Sequence, residues 1–199
     1  MRKRTFTRWC LPLIVAVAAS FAAGTPTAGA EGGGANNVVL ALTTAEGSSL
    51  SRSGLQVSQT AAPTVVSSNI AAATSFACTG CRSVAVALQA VLVTGDADNI
   101  SPANAAVATN EGCNSCTSYA YAYQYVLSAR GPTYLSPSAQ AAFAGFRAEI
   151  ADLAASGLSP DELTTRLDAV AAQFKATVDA ALHPVNGVET TRIDVAPVG

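Results

Sequence analysis

Four cysteines carry the clearest chemical signal in this sequence. They form two Cys-x-x-Cys pairs, Cys78 with Cys81 and Cys113 with Cys116. Four thiolates at this spacing are typical of a tetrahedral zinc site, and a single pair is typical of a thiol-redox centre. Outside the cytosol such cysteines are normally oxidised. We therefore expect structural disulfides, with zinc binding and thiol-redox chemistry as alternatives, and the three pairings that four cysteines allow stay open.

The other reactive residue types do not form a catalytic motif. His183 is the single histidine, which argues against Ser-His-Asp or Cys-His catalysis. H-E-x-x-H, Walker and G-x-G-x-x-G motifs are absent from the sequence. Asp96, Asp98 and Asn99 offer oxygen ligands for calcium, but the run lacks the glutamate that closes an EF-hand loop, so an ordinary turn is favoured. We expect no catalytic residue and no cofactor.

The cysteine pairs belong to an internal repeat. A fainter upstream copy, offset by 33 residues, has Ala45 and Ser48 at the cysteine positions. Self-similarity at such a period indicates several copies of one supersecondary unit. Four residues recur at an offset of 35, namely Asn69, Cys78, Cys81 and Gln89 as Asn104, Cys113, Cys116 and Gln124, and the upstream copy aligns Asn36 with Asn69 and Gln56 with Gln89.

Each copy reads as two β-strands joined by a short tip. Val84–Val93 and Tyr119–Leu127 alternate with period two and are rich in β-branched or aromatic residues. Short Ala/Val-rich runs precede them, and glycine at the tips favours tight connections. The sequence therefore predicts antiparallel β-hairpins in a three-copy region over residues 36–131, with a helix over 82–94 as the alternative.

Alternation assigns different side chains to the two faces of the later strand. One face has Tyr119, Tyr121, Tyr123 and Tyr125, and the opposite face has alanines and a glutamine. Alanines allow another layer to approach closely, so we expect the tyrosines to pack beneath a helical layer. An exposed aromatic surface for a sugar or peptide is the alternative. The repeated glutamines, Gln56, Gln89 and Gln124, are candidates for an amide ladder between copies.

The C-terminal part changes to a helical period. Apolar stripes predict helices over 137–155 and 160–182. Ser136-Pro137 and the capping box Ser159-x-x-Glu162 mark their starts. A short connection makes them an antiparallel hairpin, and residues 183–199 are expected to be a flexible tail. The predicted fold class is α+β, with Ala/Val/Tyr-rich antiparallel β-hairpins followed by a two-helix hairpin.

The N-terminus predicts export. A basic start precedes an apolar run over Leu11–Ala22 that is shorter than the roughly 20 residues of a membrane span. Ala28-Gly29-Ala30 then predicts signal-peptide cleavage between Ala30 and Glu31, with an uncleaved signal anchor as the alternative. The four basic residues of that start are Arg2, Lys3, Arg4 and Arg8.

Cleavage would leave 7 basic and 13 acidic residues, a net charge of −6. This balance argues against nucleic-acid partners and against a membrane partner after signal cleavage. A hydrophobic content of 50% is too high for a disordered chain. We expect an exported, folded protein whose partner is a protein or a cell-envelope component.

The repeat resembles a known module. The run Asn69…Cys78-x-x-Cys81…Gln89, its copy through Cys116, and the closing helices are similar to a module of actinobacterial exported and membrane-anchored proteins, some named peptide zinc metalloproteases. The resemblance covers about residues 36–182. It implies the module alone, because the H-E-x-x-H motif and membrane helices of a zinc protease are missing here. The sequence thus predicts a secreted, non-catalytic structural or interaction module, and its alternative is an extracytoplasmic zinc-binding or thiol-redox protein.

Overall fold

The computed structural model describes residues 32–129, 135–181 and 190–198. The expected signal peptide, with its cleavage site between Ala30 and Glu31, lies outside the described residues, as does His183. Two helices follow the sixth strand, α1 (Pro137–Ala155) and α2 (Pro160–Ala181). The seven described strands are β1 (Gly32–Thr43), β2 (Ser49–Thr60), β3 (Thr64–Phe76), β4 (Arg82–Thr94), β5 (Asn99–Glu111), β6 (Thr117–Ala129) and β7 (Thr190–Val198).

Successive strands alternate between two sheets. Sheet A has the order β1-β3-β5, and sheet B has the order β2-β4-β6-β7. All pairs among the first six strands are parallel, and β7 joins β6 antiparallel. Each coil therefore consists of one strand in sheet A, a turn, and one strand in sheet B. Three such coils make a short parallel β-solenoid.

The predicted antiparallel β-hairpins are wrong. Each strand pairs with its counterpart in the next coil, so that Asn69 lies beside Asn104 and Gln89 beside Gln124. The turns carry the chain across to the other sheet and do not return it along the same sheet. A fixed offset between like residues is what in-register parallel pairing requires, because each side chain then stacks on its own counterpart.

The first coil pairs at two different offsets. In sheet B, Gln56 lies beside Gln89 as the repeat predicts. In sheet A, Asn37 lies beside Asn69, so the alignment of Asn36 with Asn69 is shifted by one residue. Because successive side chains point to opposite faces of a strand, this shift places Asn36 on the exposed side and Asn37 between the sheets.

Small side chains fill the space between the two sheets. The buried layer consists of Val39 and a set of alanines from both sheets, including Ala71 and Ala87. Gly54 occupies the position in β2 that Ala87 occupies in β4. A Cβ atom at Gly54 would lie 2.8 Å from Val39 Cγ2 and 2.9 Å from Asn37 Oδ1, so this close approach requires glycine.

Two ladders of side-chain amides run along the solenoid between the sheets. Asn37 donates to Asn69 Oδ1 at 2.9 Å, and Asn69 donates to Asn104 Oδ1 at 2.8 Å. In sheet B, Gln89 donates to Gln56 Oε1 at 3.2 Å and Gln124 donates to Gln89 Oε1 at 2.6 Å. The glutamine ladder that the repeat suggested is present, and an asparagine ladder accompanies it.

The two helices pack on the outer face of sheet B. Their buried residues form one apolar cluster with the tyrosine face of β6. The Tyr119 hydroxyl lies 2.9 Å from Thr164 Oγ1, and the Tyr121 hydroxyl donates to Asp168 Oδ1 at 2.9 Å. The tyrosine face is therefore buried beneath the helices, as the packing interpretation expected, and is not an exposed aromatic surface.

Capping residues define the starts of both helices. Ser136 Oγ accepts a hydrogen bond from the Ala139 N–H at 3.2 Å at the start of α1. At α2, Ser159 and Glu162 form the reciprocal bonds of a capping box. Among the described residues, no helix is long and apolar enough to cross a membrane. Thr190–Val198, within the stretch expected to be a flexible tail, forms β7 because it pairs along β6.

Candidate functional site

The two cysteine pairs lie in the turns that lead from sheet A to sheet B. Residues 77–81 connect β3 to β4, and residues 112–116 connect β5 to β6. The turns stack through backbone hydrogen bonds, with the Asn114 N–H donating to Cys78 O at 3.1 Å and the Gly80 N–H donating to Asn114 O at 2.9 Å. The turns thus extend the parallel stacking of the strands.

The backbone of both cysteine turns passes through the left-handed region at two matching positions. Ala77 has a φ of 51° where the next turn has Gly112 with a φ of 60°. Gly80 has a φ of 65° where the next turn has Ser115 with a φ of 55°. Glycine adopts this conformation without steric cost, whereas alanine and serine do not. The common backbone path places both cysteine pairs at equivalent positions in their coils.

Both cysteine pairs lie at disulfide distance. The structure joins Cys78 to Cys81 and Cys113 to Cys116, with Cα atoms 6.3 and 5.9 Å apart. This agrees with the expectation of disulfides and selects one of the three pairings. The two bridges are adjacent, because Cys78 Sγ lies 3.6 Å from Cys113 Sγ and 3.9 Å from Cys116 Sγ.

The two bridges differ in exposure. Cys78 and Cys81 are 3% and 1% exposed, whereas Cys113 and Cys116 are partly exposed. In the oxidised state the sulfurs are not thiolates and cannot act as nucleophiles or metal ligands. The oxidised arrangement can therefore fix the path of two turns, and chemistry at these sulfurs requires reduction.

Reduction would leave a cluster suited to a soft metal. The Sγ atoms of Cys78, Cys113 and Cys116 all lie within 4.8 Å of one another. Thiolates bound to zinc at about 2.3 Å in a tetrahedron lie about 3.8 Å apart. Cys81 Sγ is bonded to Cys78 Sγ but is not one of the three sulfurs that lie within 4.8 Å of one another, and it lies 3.1 Å from Ala45 O.

The calcium alternative gains no support from the described residues. Asp98 and Asn99 direct their backbone N–H groups to Pro63 O, at 2.7 and 3.2 Å, as expected of a stacked turn. Within residues 32–129, 135–181 and 190–198, the cysteine group is the one set of three or more His, Cys, Asp or Glu side chains close enough to share a metal ion. The run from Asp96 to Asn99 is thus a connection between coils.

A second candidate site is the outer face of sheet A, which the sequence analysis did not identify. Side chains that point away from sheet B on β1, β3 and β5 form this face, and its largest apolar members are strongly exposed. β1 contributes the most prominent row, in which every second residue is aliphatic. The exposed fractions are 53% for Val38, 60% for Leu40, 57% for Leu42, 55% for Val66 and 48% for Val107.

The sheet A outer face carries a single charge, at one end. The three strands of sheet A contain one charged residue, Glu111, at the last position of β5. Contiguous exposed apolar surface of this kind marks a binding surface more often than a solvated one. The signal in the sequence was the alternation Val38-x-Leu40-x-Leu42 without a charged residue. Because Val39 and Ala41 lie between these residues, β1 has aliphatic side chains on both faces, and one of those faces is exposed.

Comparison with known proteins gives no match. No family model, no curated protein and no solved structure matches the chain. The cysteine turns and the sheet A outer face are therefore the two features that bear on function.

Proposed function

We propose that this chain is a secreted, non-catalytic structural or interaction module that binds its partner through the sheet A outer face. The observation that carries the proposal is the exposure of Val38, Leu40 and Leu42 on β1, a strand without charged residues. The opposite outer face, that of sheet B, packs against the helices. The partner is a protein or a cell-envelope component.

Several polar side chains in the interior support a non-catalytic role, because their hydrogen bonds connect strands and helices. Asn69 Nδ2 lies 3.0 Å from both Ala87 O and Tyr123 O, and so links sheet A to sheet B. The hydroxyl groups of Tyr119 and Tyr121 form hydrogen bonds with Thr164 and Asp168 of α2. These side chains position strands and helices and do not converge on a space where a substrate could bind.

The disulfides support export. Two oxidised pairs persist in an oxidising compartment and are reduced in the cytosol. The predicted signal peptide and the resemblance to modules of exported actinobacterial proteins agree with this location. In this proposal the disulfides hold the turns between Phe76 and Arg82 and between Glu111 and Thr117, which terminate the strands of sheet A.

Site-specific photo-crosslinking in the producing cell tests the binding role. A photoreactive side chain at Val107 should give a covalent adduct of defined mass, because Val107 lies on the sheet A outer face. The same group at Ala172, which is exposed on α2, should give none. Equal labelling at both positions, or no adduct at Val107, would contradict the proposal.

A second candidate function, zinc binding, is favoured by the clustering of three cysteine sulfurs. Intact-mass analysis with thiol alkylation, before and after reduction, separates the two functions. No alkylation before reduction and four alkylated thiols after it support the structural role. One bound zinc per chain in the untreated protein, with free thiols and with loss of zinc in Cys113→Ser, would instead support the metal site at Cys78, Cys113 and Cys116.

A further inference from the structure

We infer that the two adjacent disulfides act as a thiol–disulfide relay, which a small thiol reductant enters at the outer bridge, Cys113–Cys116. The Cys113 thiolate then attacks Cys78 of the inner bridge, Cys78–Cys81, and forms a disulfide between neighbouring coils. The inference goes beyond the proposed binding role, which concerns the sheet A outer face. It follows from the exposure of the four sulfurs, the distances between them and the polar groups around Cys81.

A reductant in solution reaches the two bridges unequally. Cys113 and Cys116 are partly exposed, whereas Cys78 and Cys81 are buried. Thiol–disulfide exchange requires the attacking thiolate to reach a disulfide sulfur, so the outer bridge is attacked first. A dithiol reductant becomes a disulfide in this step, and its two electrons and two protons leave Cys113 and Cys116 as free thiols.

The positions of the sulfurs favour transfer from Cys113 to Cys78. Cys113 Sγ lies 3.6 Å from Cys78 Sγ, and Cys116 Sγ lies 3.9 Å from the same atom. The shorter distance is close to the separation of about 3–3.5 Å from which well-placed groups react. Cys116 Sγ also lies 3.4 Å from Cys78 O, so a Cys116 thiol can donate its proton to that carbonyl. Cys113 is therefore the attacking sulfur.

The stacking of the two turns suits the new bond. The Asn114 N–H donates to Cys78 O at 3.1 Å, and Thr79 pairs with Asn114 in a parallel β-bridge. Parallel neighbours lie about 4.8 Å apart, and disulfides join Cα atoms separated by roughly 4.4–6.8 Å. A bond between Cys78 and Cys113 should therefore form with the turns in place, and it would tie the second coil to the third.

Polar groups of the first coil surround the leaving sulfur, Cys81 Sγ. The Ser48 hydroxyl donates to this sulfur at 3.9 Å, and a donated hydrogen bond stabilises a thiolate. Once protonated, the Cys81 thiol can donate to Ala45 O, 3.1 Å away. Ala45 and Ser48 stand at the cysteine positions of the repeat, so the first coil supplies a donor and an acceptor where the other coils have sulfur.

The exchange step conserves electrons. One S–S bond forms between Cys113 and Cys78 while the bond between Cys78 and Cys81 breaks, and the electron pair of the broken bond leaves on Cys81 Sγ. The proton that Cys113 releases to water on ionisation is replaced by one that Cys81 takes up. The end state has one disulfide between coils and free thiols at Cys81 and Cys116.

Peptide mapping after limited reduction tests the product. One equivalent of dithiothreitol is added to the purified, oxidised protein, and free thiols are then trapped with N-ethylmaleimide in mildly acidic denaturant. Trypsin cleaves after Arg52, Arg82 and Arg130, which separates the bridges into peptides 53–82 and 83–130. Pairing within each turn leaves these peptides separate, whereas a bond between Cys78 and Cys113 joins them.

The relay predicts joined peptides, labelled at Cys81 and Cys116, in the greater part of the protein that carries two labels. Separate peptides with both labels on Cys113 and Cys116 would overturn the relay. Joined peptides before any reductant is added would also overturn it, because the bond between coils would then belong to the resting protein. Four free thiols with a bound zinc ion in the untreated protein would overturn it as well.

Paired serine variants test the route with glutathione as the reductant. Cys113→Ser with Cys116→Ser should slow reduction of the inner bridge at least about 10-fold, because glutathione must then reach buried sulfurs directly. A purely structural outer bridge predicts the opposite, since its loss would loosen the turn and speed that reduction. An unchanged or faster rate, in a variant with the wild-type circular dichroism spectrum, would overturn the relay. Cys78→Ser with Cys81→Ser is the control, and its outer bridge should be reduced within about 2-fold of the wild-type rate.

Discussion

Asn69 shows how a single buried side chain joins its own strand, β3, to three others. Its amide nitrogen donates to Ala87 O in sheet B at 3.0 Å and to Asn104 Oδ1 in the next coil at 2.8 Å. Its oxygen accepts from Asn37 at 2.9 Å. A buried side-chain amide is tolerated because its N–H and C=O groups form hydrogen bonds. The stack of asparagines therefore fixes both the register of the coils and the contact between the sheets.

Replacing Asn69 with alanine should lower the free energy of unfolding by about 2–4 kcal/mol, because it opens a cavity and leaves the amide partners without their bonds. Asn36→Ala is the matched control, since Asn36 is exposed one residue away from the ladder position in β1. We expect the control to change stability by less than about 0.5 kcal/mol. Urea denaturation followed by circular dichroism measures both, and equal effects would contradict the ladder's role.

One substitution in the first cysteine turn should increase the stability of the fold. Ala77 and Ser115 have φ values of 51° and 55°, where the equivalent residues of the other turn are glycines. Ala77→Gly should stabilise the fold by up to about 1 kcal/mol, because relief of the left-handed strain exceeds the entropic cost of glycine in the unfolded chain. The measurement is the Tm by calorimetry. Ala97→Gly, in another connection between coils, is the control, and an equal rise there would contradict the explanation.

At the scale of elements, β6 and α2 meet through phenol groups whose ionisation is suppressed. Burial raises the pKa of Tyr121 far above its ordinary value of 10.0, and its hydrogen bond to the Asp168 carboxylate raises it further. Burial also raises the pKa of Tyr119. A group whose pKa is higher in the folded state contributes stability below its unfolded pKa, and this contribution falls as the pH rises.

The protein should therefore lose stability as the pH rises above 10, where tyrosines of the unfolded chain ionise. Absorbance at 295 nm should show that Tyr119 and Tyr121 ionise together with unfolding and not before it. Tyr121→Phe should make the decline less steep, because one suppressed group is removed. Ionisation of all tyrosines near pH 10 in a chain with an intact circular dichroism spectrum would show that the phenols are accessible.

The elements themselves were partly predictable from the sequence. Ser136-Pro137 and the Ser159–Glu162 capping box are local signals, and the helices begin where those signals predict. Alternation located β4 and β6 but did not select their partners, since period two is common to parallel and antiparallel strands. The fixed offset from Asn69 to Asn104 was compatible with repeated hairpins as well as with in-register parallel stacking, so it did not by itself select the partner.

The molecule as a whole separates charge from apolar surface. Sheet B and the helices contain most of the charged residues described, whereas sheet A has Glu111 alone. This separation was not predictable from local sequence, because whether a strand face is buried or exposed depends on the layers that pack against it. The cysteine pairs were predictable as disulfides, but their adjacency at 3.6 Å depends on the stacking of the coils.

The disulfides should stabilise the solenoid, but the chain should not need them to adopt this fold. Each closes a loop with a sequence separation of 3, and so short a loop contributes about 2 kcal/mol by the entropy of the unfolded chain. The backbone bonds between the turns and the amide ladders remain after reduction. The protein lacking one bridge should thus keep its β-sheet spectrum and unfold at lower denaturant concentration.

Paired serine variants measure this contribution. Replacing Cys113 and Cys116 together should cost about 2 kcal/mol, because these residues are partly exposed and serine is readily solvated there. Replacing Cys78 and Cys81 should cost more, since both are buried and a serine hydroxyl must be desolvated. Guanidinium denaturation of the two variants gives the comparison. Loss of the β-sheet circular dichroism spectrum in the variant without Cys113 and Cys116 would show instead that this disulfide is required for folding. The amide ladders alone would then be too weak to hold the third coil, which consists of β5 and β6.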